Sequence, residues 1–174
     1  MSNITLKKPT PKILTPNEGE QLTRRWGYPL TIKIDPVTTG TPTFSIGTED
    51  ISPGKQIPPH WHPTSEEVVI VLSGTLYGFL DGKYAELGPG SMVYAPINTV
   101  MGFENRTNEI ATIVWIFSKP GFEQYVRATS VPAGQEVVPM TKEELDAVRV
   151  KYKDYIELDG GDLLQYPENI ASTD

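Results

Sequence analysis

The sequence contains no cysteine and only two histidines among its 174 residues. The absence of cysteine excludes a disulfide framework, a thiolate metal ligand and a cysteine nucleophile. The sequence also lacks an apolar run of signal-peptide or membrane-spanning length, so we expect a soluble, cytoplasmic protein without a membrane partner. Acidic residues outnumber basic ones, and the resulting net charge of -7 argues against a nucleic-acid partner.

Glycine and proline are abundant instead, with 15 and 16 residues. They separate short alternating or apolar segments, which predict short strands joined by tight turns. Asp81-Gly82 is the strongest hairpin signal among these turns. Closely spaced short strands are typical of a closed or double-sheet β structure, and the chain length indicates one domain.

Three regions of the chain differ in character. Residues 1–25 contain several prolines and predict an irregular N-terminal arm, which is available to lie across a neighbouring subunit as an edge strand. Residues 26–120 carry the predicted strands. Residues 121–174 form a C-terminal extension, in which Thr141 opens a capping box that predicts a helix at about 142–154. We expect this helix to act as a lid or a brace on the outside of the β structure.

Both histidines lie in the stretch from Gly54 to Gly74. His60 and His62 are two positions apart in a predicted strand, so their side chains point to the same face. Glu67 begins the next predicted strand and can return to the same point across a hairpin. Two imidazoles and one carboxylate on one face form a facial set of metal ligands, with positions left open for water or substrate.

The spacing of Gly54, His60, His62, Glu67 and Gly74 resembles the first motif of the cupin family at every fixed position. The gap to the last glycine selects this glutamate rather than its neighbour at position 66, which we expect to point toward solvent. The resemblance implies that both histidines and the glutamate are metal ligands.

A second cupin motif is recognisable from Leu87 to Pro96 and at Asn105, but Met101 stands where the family has its histidine. The resemblance extends over roughly residues 40–120. It implies an all-β fold of the cupin-type double-stranded β-helix, or jelly-roll barrel, and a homodimer.

Met101 has two interpretations. A thioether is a soft, weak ligand that favours copper, whereas a structural methionine is a flexible apolar filler. We favour the filler, because replacing an imidazole most simply opens a coordination position. A site with two nitrogens and one oxygen then favours Fe(II), while Zn, Mn, Ni or Cu are also compatible.

Residues that share a face with the ligands, or lie on facing strands, are candidates for binding a substrate. These candidates are Gln56, Tyr94, Phe103, Trp115 and Phe117. For each single aromatic residue we favour ordinary core packing, and the register of Tyr94, Trp115 and Phe117 stays open because both faces of their strands are apolar. Together the aromatic residues indicate an apolar pocket for a small organic molecule. No pair of basic residues lies inside the motif stretch, and this disfavours a sugar phosphate.

Three functional hypotheses follow from the resemblance. Likeness to quercetinase-type cupins implies a metal-dependent oxygenase, a dioxygenase in which Glu67 also acts as the base on a substrate hydroxyl. The second hypothesis keeps the metal as a Lewis acid for an isomerisation, decarboxylation or lyase reaction through an enolate. The third is a non-catalytic cupin that binds a small molecule.

Overall fold

Antiparallel strands are the main regular structure in the part of the chain that the computed structural model describes, residues 8–25 and 27–158. The strands in chain order are β1 (Glu20–Arg24), β2 (Pro29–Ile34), β3 (Ser45–Ile51), β4 (Gln56–Trp61), β5 (Glu67–Ser73), β6 (Leu76–Leu80), β7 (Lys83–Leu87), β8 (Met92–Ala95), β9 (Met101–Glu104), β10 (Ala111–Phe117), β11 (Ser130–Pro132) and β12 (Glu157–Leu158). The helices are α1 (Phe122–Ala128) and α2 (Lys142–Tyr152).

The strands form two sheets in which neighbouring strands run antiparallel. One sheet has the order β11-β1-β2-β3-β10-β5-β8, and the other has the order β12-β4-β9-β6-β7. The chain crosses between the sheets repeatedly from β3 to β10, so strands that are distant in sequence become neighbours. This is the arrangement of a jelly roll, and it confirms the expected all-β fold with a C-terminal helix.

The tight hairpin expected at Asp81-Gly82 joins β6 to β7. Its two turn residues have φ angles of 46° and 79°, as a two-residue turn with both residues in the left-handed region requires. Glycine adopts this conformation freely and aspartate tolerates it, which explains why this pair folds the chain back directly.

Two hydrophobic clusters fill the interior. The first contains Met101 and Phe103 of β9 together with aliphatic side chains of β5 and β10. The second contains Trp115 and Phe117 of β10, and it extends to aromatic side chains of α1. The candidate site described below lies beside this second cluster, because the Phe117 ring contacts His62.

The expected N-terminal arm is partly wrong. Its first seven residues lie outside the described residues, but Glu20–Arg24 form β1, which pairs with β2 and β11 of the same chain. Arg127 of α1 holds this region in place: its Nε donates to the Glu20 carboxylate at 2.8 Å, and its Nη2 lies 2.7 Å from the buried Asp35 carboxylate. The end of the arm is therefore a strand of the chain's own sheet.

The predicted C-terminal helix is present as α2. Thr141 accepts a hydrogen bond from the Glu144 amide at 3.2 Å and its own amide donates to the Glu144 carboxylate at 2.9 Å, which is the expected capping box. Val148 and Tyr152 pack against the second hydrophobic cluster, so the helix braces the sheets. Residues 159–174 of the extension lie outside the described residues. Within the described residues, no helix combines the length and apolarity needed to cross a membrane.

We predict that Gly47→Ala destabilises the fold. A Cβ atom at this position would lie 2.0 Å from the Trp115 ring and 2.6 Å from the Thr31 carbonyl oxygen, inside a packed sheet. The free energy of unfolding, measured by urea denaturation, should fall by about 1–3 kcal/mol. Gly88→Ala is the control, because a Cβ there meets no atom within 4 Å. Equal stability of the two variants would contradict this account of the core.

Candidate metal centre

Three side chains converge at the junction of β4 and β5. His60 lies in β4, His62 directly follows that strand, and Glu67 is the first residue of β5. The Nε2 atoms of His60 and His62 lie 4.0 Å and 3.1 Å from Oε2 of Glu67. All three side chains are buried, and one ligand atom from each lies within 4.8 Å of the others. The convergence expected from alternate strand positions and the intervening turn is therefore present.

Backbone carbonyl groups determine which ring nitrogen of each imidazole is directed at the other two side chains of the cluster. Nδ1 of His60 lies 2.8 Å from the Pro58 carbonyl oxygen, and Nδ1 of His62 lies 2.6 Å from that of Tyr155. Because a carbonyl oxygen only accepts hydrogen bonds, each Nδ1 must carry the proton. A ring that carries its one proton on Nδ1 presents the lone pair of Nε2 to the centre of the cluster, as metal-binding histidines do.

The two Nε2 atoms and the Glu67 carboxylate oxygen together form a site that suits a cation. Nε2 of His62 and Oε2 of Glu67 are both buried and lie 3.1 Å apart. Two acceptors that face each other at this distance repel unless a proton or a metal ion lies between them. Two imidazole nitrogens and one carboxylate oxygen are a donor set that Fe, Zn, Mn and Ni accept.

Burial shifts the pKa values of His60 and Glu67. Burial and the neighbouring His62 lower the pKa of His60 to about 3, so this ring is neutral and its Nε2 is available at pH 7. Burial also raises the pKa of Glu67, while His62 opposes that rise. A bound cation would favour the ionised carboxylate, and metal binding at this centre should therefore release protons.

The segment that follows α2 completes the centre, and sequence reasoning missed it. Leu158 pairs with His60 in the register of β12 and β4, and the Thr64 hydroxyl donates to the Asp154 carbonyl oxygen at 2.7 Å. The Tyr155 ring lies directly over Gly121, where a Cβ atom would come within 2.1 Å of it. The alternation of polar and apolar residues in this segment was the available signal for a strand. It does not indicate that the Tyr155 carbonyl contacts His62, which is 93 residues away in the sequence.

A small cavity adjoins the centre on the side of His60. Its volume is about 30 Å³, which is room for one or two water molecules. Its lining includes both polar and apolar side chains, among them Arg24, Tyr28, Glu49, Gln56, His60 and Leu158. An organic substrate larger than this volume requires some of the lining residues to move.

The five candidate substrate residues lie in different parts of the structure. Gln56 lies in the cavity wall. Phe103 packs in the first hydrophobic cluster instead of the cavity wall. Trp115 and Phe117 are also absent from that wall and pack in the second cluster, where the Phe117 ring contacts His62. Their part in binding a substrate, like that of Phe103, stays a prediction.

Tyr94 is also absent from the cavity wall. Its side chain is 54% exposed on the outer face of β8, and its hydroxyl donates to the Glu66 carboxylate at 2.8 Å. It lies directly opposite Val68 in β5, so it shares that residue's outward direction, whereas Glu67 points inward. Glu66 is exposed, as expected.

Met101 lies directly opposite His60 in the register of β9 and β4. Its side chain is 1% exposed and belongs to the first hydrophobic cluster. These contacts support the interpretation as an apolar filler. Within the described residues, the cluster of histidines and carboxylates that suits a metal ion contains His60, His62 and Glu67.

Arg24, Tyr28 and Glu49 are cavity residues that sequence reasoning missed. Arg24 lies in the region predicted as an irregular arm, and Glu49 has no role predicted from the sequence. In β3 the buried face carries Ser45, Gly47 and Glu49. The usual rule that apolar side chains face inward would select the opposite face of this strand.

Comparisons with known proteins agree with this architecture. Residues 47–117 match the family described as Cupin domain. The chain is 30% identical over 144 residues to "Polyketide synthase CurC" from Streptomyces cyaneus, across 80% of this chain and 93% of that protein. The structure of KdgF from Halomonas sp. superposes with a TM-score of 0.57 and 19% identity, over 66% of this chain and 99% of the other. An RmlC-like cupin from Shewanella frigidimarina gives 0.57 and 14%, over 68% and 99%. These two structures support the fold alone.

We predict that both imidazoles in the metal-free protein carry their proton on Nδ1. The carbonyl groups of Pro58 and Tyr155 require it, although an imidazole in water prefers the proton on Nε2. The ¹⁵N chemical shifts of the two rings in labelled protein report the tautomer directly. An Nε2-protonated ring at either position would show that its carbonyl contact does not form.

We predict that Gly121→Ala changes the signal of one ring only. The added methyl group displaces the Tyr155 ring, and with it the carbonyl oxygen that contacts His62. The ¹⁵N signals of His62 should broaden or shift toward the other tautomer, while those of His60, held by Pro58, should stay unchanged. Unchanged signals from both rings would contradict the role given to the C-terminal segment.

Proposed function

The chain belongs to the cupin superfamily, and on that premise we propose that it is a metal-dependent oxygenase of a small organic molecule. The observation that carries the proposal is the convergence of His60, His62 and Glu67 with both Nε2 lone pairs directed at one carboxylate oxygen. Fe(II) is the metal we favour, because two histidines and one carboxylate with open positions are the ligand set of non-haem Fe(II) oxygenases. A bound ion would supply Lewis acidity toward a substrate oxygen and, if redox-active, reactivity with dioxygen.

The chain's own residues would hold and shield this chemistry. His60 and His62 would bind the ion in a fixed orientation, because backbone carbonyls hold their Nδ1–H groups. Met101 supplies hydrocarbon where the family motif has an imidazole, which leaves a position for substrate. The C-terminal segment would exclude bulk water, since Ile156 and Leu158 line the cavity beside His60.

The walls of the cavity support an organic substrate with a polar end. Phe122, Tyr125 and Ile156 provide apolar and aromatic surface, and Arg24 brings a cation close to a carboxylate on Glu49. A ketone or an enol attached to an apolar or aromatic body combines these features. The small substrate, like the homodimer, stays a prediction from the family resemblance.

A second candidate is an enolate reaction that uses no oxygen. The relative from Streptomyces cyaneus carries the name polyketide synthase, and polyketide chains contain repeated ketones that enolise readily. The same metal ligands would then serve an isomerisation, decarboxylation or lyase reaction as a Lewis-acid site. Both candidates begin with the same bound enol or ketone, and they differ in the requirement for oxygen.

We predict that the purified protein binds about one divalent ion per chain. His60→Ala and Glu67→Gln should each weaken binding by 100-fold or more, since each removes one of three ligands. Met101→Leu is the matched control and should keep its metal, because that side chain packs with hydrocarbon. Isothermal titration and elemental analysis measure both effects. A wild-type protein without affinity for Fe(II), Zn(II), Mn(II), Ni(II) or Cu(II) would exclude the proposed function.

Oxygen consumption separates the two candidates. The Fe(II)-loaded protein should consume dioxygen in the presence of an aromatic enol or ketol such as 2-hydroxyacetophenone, and His60→Ala should not. Product formation at an equal rate without oxygen would contradict the oxygenase and support the enolate reaction. If wild type and His60→Ala bind this organic probe with equal affinity and neither converts it, the protein is a non-catalytic binding protein.

A further inference from the structure

A buried carboxylate outside the ligand set faces the same cavity as His60. Glu49 lies in β3, is 6% exposed, and lines the cavity together with His60. The proposed metal ligands already account for Glu67, whose Oε2 is the oxygen closest to both Nε2 atoms. Glu49 has no part in that set. A second carboxylate beside the centre is therefore available to exchange a proton with a bound molecule.

Charged groups from three strands act on Glu49. Burial raises the pKa of its carboxyl, Arg24 on β1 lowers it, and Glu67 on β5 and Asp50 on β3 raise it further. The Arg24 guanidinium also lies 6.0 Å from the centre of the Phe122 ring, which lines the same cavity. The backbone amide of Arg24 donates to the carbonyl of Tyr28 at 2.7 Å, which fixes the turn that presents both residues. Arg24 therefore favours the ionised form of a carboxylate that burial alone would keep protonated.

The family resemblance implies Glu67 as the base on a substrate hydroxyl, but this carboxylate is poorly suited to take a proton from the less acidic C–H bond. A carboxylate that binds a metal ion shares its electron pair with the ion, and this lowers its basicity. Enol formation nevertheless requires a base within hydrogen-bond reach of the carbon next to the carbonyl group. Among the polar side chains that line the cavity, Glu49 is the carboxylate.

We propose that Glu49 is the proton acceptor of this centre and that Arg24 is its positioning residue, an inference that rests on the proposed function. The carboxylate takes a proton from the carbon next to the substrate carbonyl. The C–H electron pair becomes the C=C bond of the enolate, the carbonyl π pair moves to oxygen, and Glu49 becomes a neutral acid. The step consumes no oxidant and reverses when the acid returns the proton. It identifies the substrate class as ketones with at least one acidic C–H bond beside the carbonyl group.

Deuterium exchange tests this step without knowledge of the natural substrate. The Zn(II)-loaded protein in D₂O is incubated with hydroxyacetone or 2-hydroxyacetophenone, and NMR follows loss of the proton signal beside the carbonyl group. Wild type should exchange at least one probe faster than buffer or the metal-free protein. Glu49→Gln, which keeps the size of the side chain, should slow exchange by about 100-fold or more while its zinc content stays unchanged.

Asp50→Asn is the matched control. Asp50 is the next residue of β3, but its carboxylate accepts a hydrogen bond from the Thr112 hydroxyl at 2.8 Å and does not line the cavity. Exchange by this variant should match wild type at pH values above the rising limb of the profile, although the limb itself should move to lower pH without Asp50. If Glu49 were only the structural partner of Arg24, Glu49→Gln would lower the melting temperature without a specific loss of exchange.

The pH profile tests the role of Arg24. Exchange requires the ionised form of Glu49, so its rate rises with pH through the pKa of that carboxyl. Arg24→Met removes the cation that lowers this pKa, and the rising limb should move to higher pH. Circular dichroism confirms that the variant is folded. If the rising limb of the pH profile does not move in a folded Arg24→Met variant, the positioning role of Arg24 is overturned.

The remaining outcomes test the role of Glu49, the proton transfer and the metal centre separately. Equal exchange by zinc-loaded wild type and Glu49→Gln would overturn the role of Glu49 and leave the proposed metal centre intact. Zinc-loaded wild type that exchanges neither probe above buffer would also overturn the proton-transfer proposal. A wild-type chain that binds no metal would contradict the proposed function itself, and this proposal with it.

Discussion

Two carbonyl-to-imidazole contacts are the constraint on which the candidate centre depends. The Pro58 and Tyr155 oxygens fix the proton of each histidine on Nδ1, and so turn both Nε2 lone pairs toward Glu67. Without these contacts each ring would be able to carry its proton on Nε2 and to satisfy the carboxylate by a simple hydrogen bond. The arrangement therefore combines acceptors that are stable together only with a proton or a cation between them.

The fold supplies the two carbonyl groups from very different places. Pro58 belongs to the same strand as His60, so its contribution is local. Tyr155 follows the C-terminal helix, and its position depends on the pairing of β12 with β4 and on the absence of a side chain at Gly121. The capped helix that packs against the second hydrophobic cluster is thus connected to the geometry of the centre.

The sequence predicted the local features well. His60, His62 and Glu67 converge because strand alternation and one tight turn are enough to bring them together, and the Thr141 cap and the Asp81-Gly82 hairpin depend on neighbouring residues alone. Long-range features were less accessible. The apolar pattern of β3 does not reveal that its buried face carries Glu49, because Gly47 on that face leaves its space to the Trp115 ring. Tyr94 was misplaced for a related reason: its strand offers apolar residues on both faces, so the pattern does not select the inward one.

X-ray absorption spectroscopy of the zinc-loaded protein tests the central claim most directly. The account predicts two imidazole ligands and oxygen from Glu67 and water, all at about 2.0–2.2 Å, with no sulfur near 2.3 Å. Scattering from a single imidazole, or from a sulfur atom that only a methionine can provide in this chain without cysteine, would contradict it.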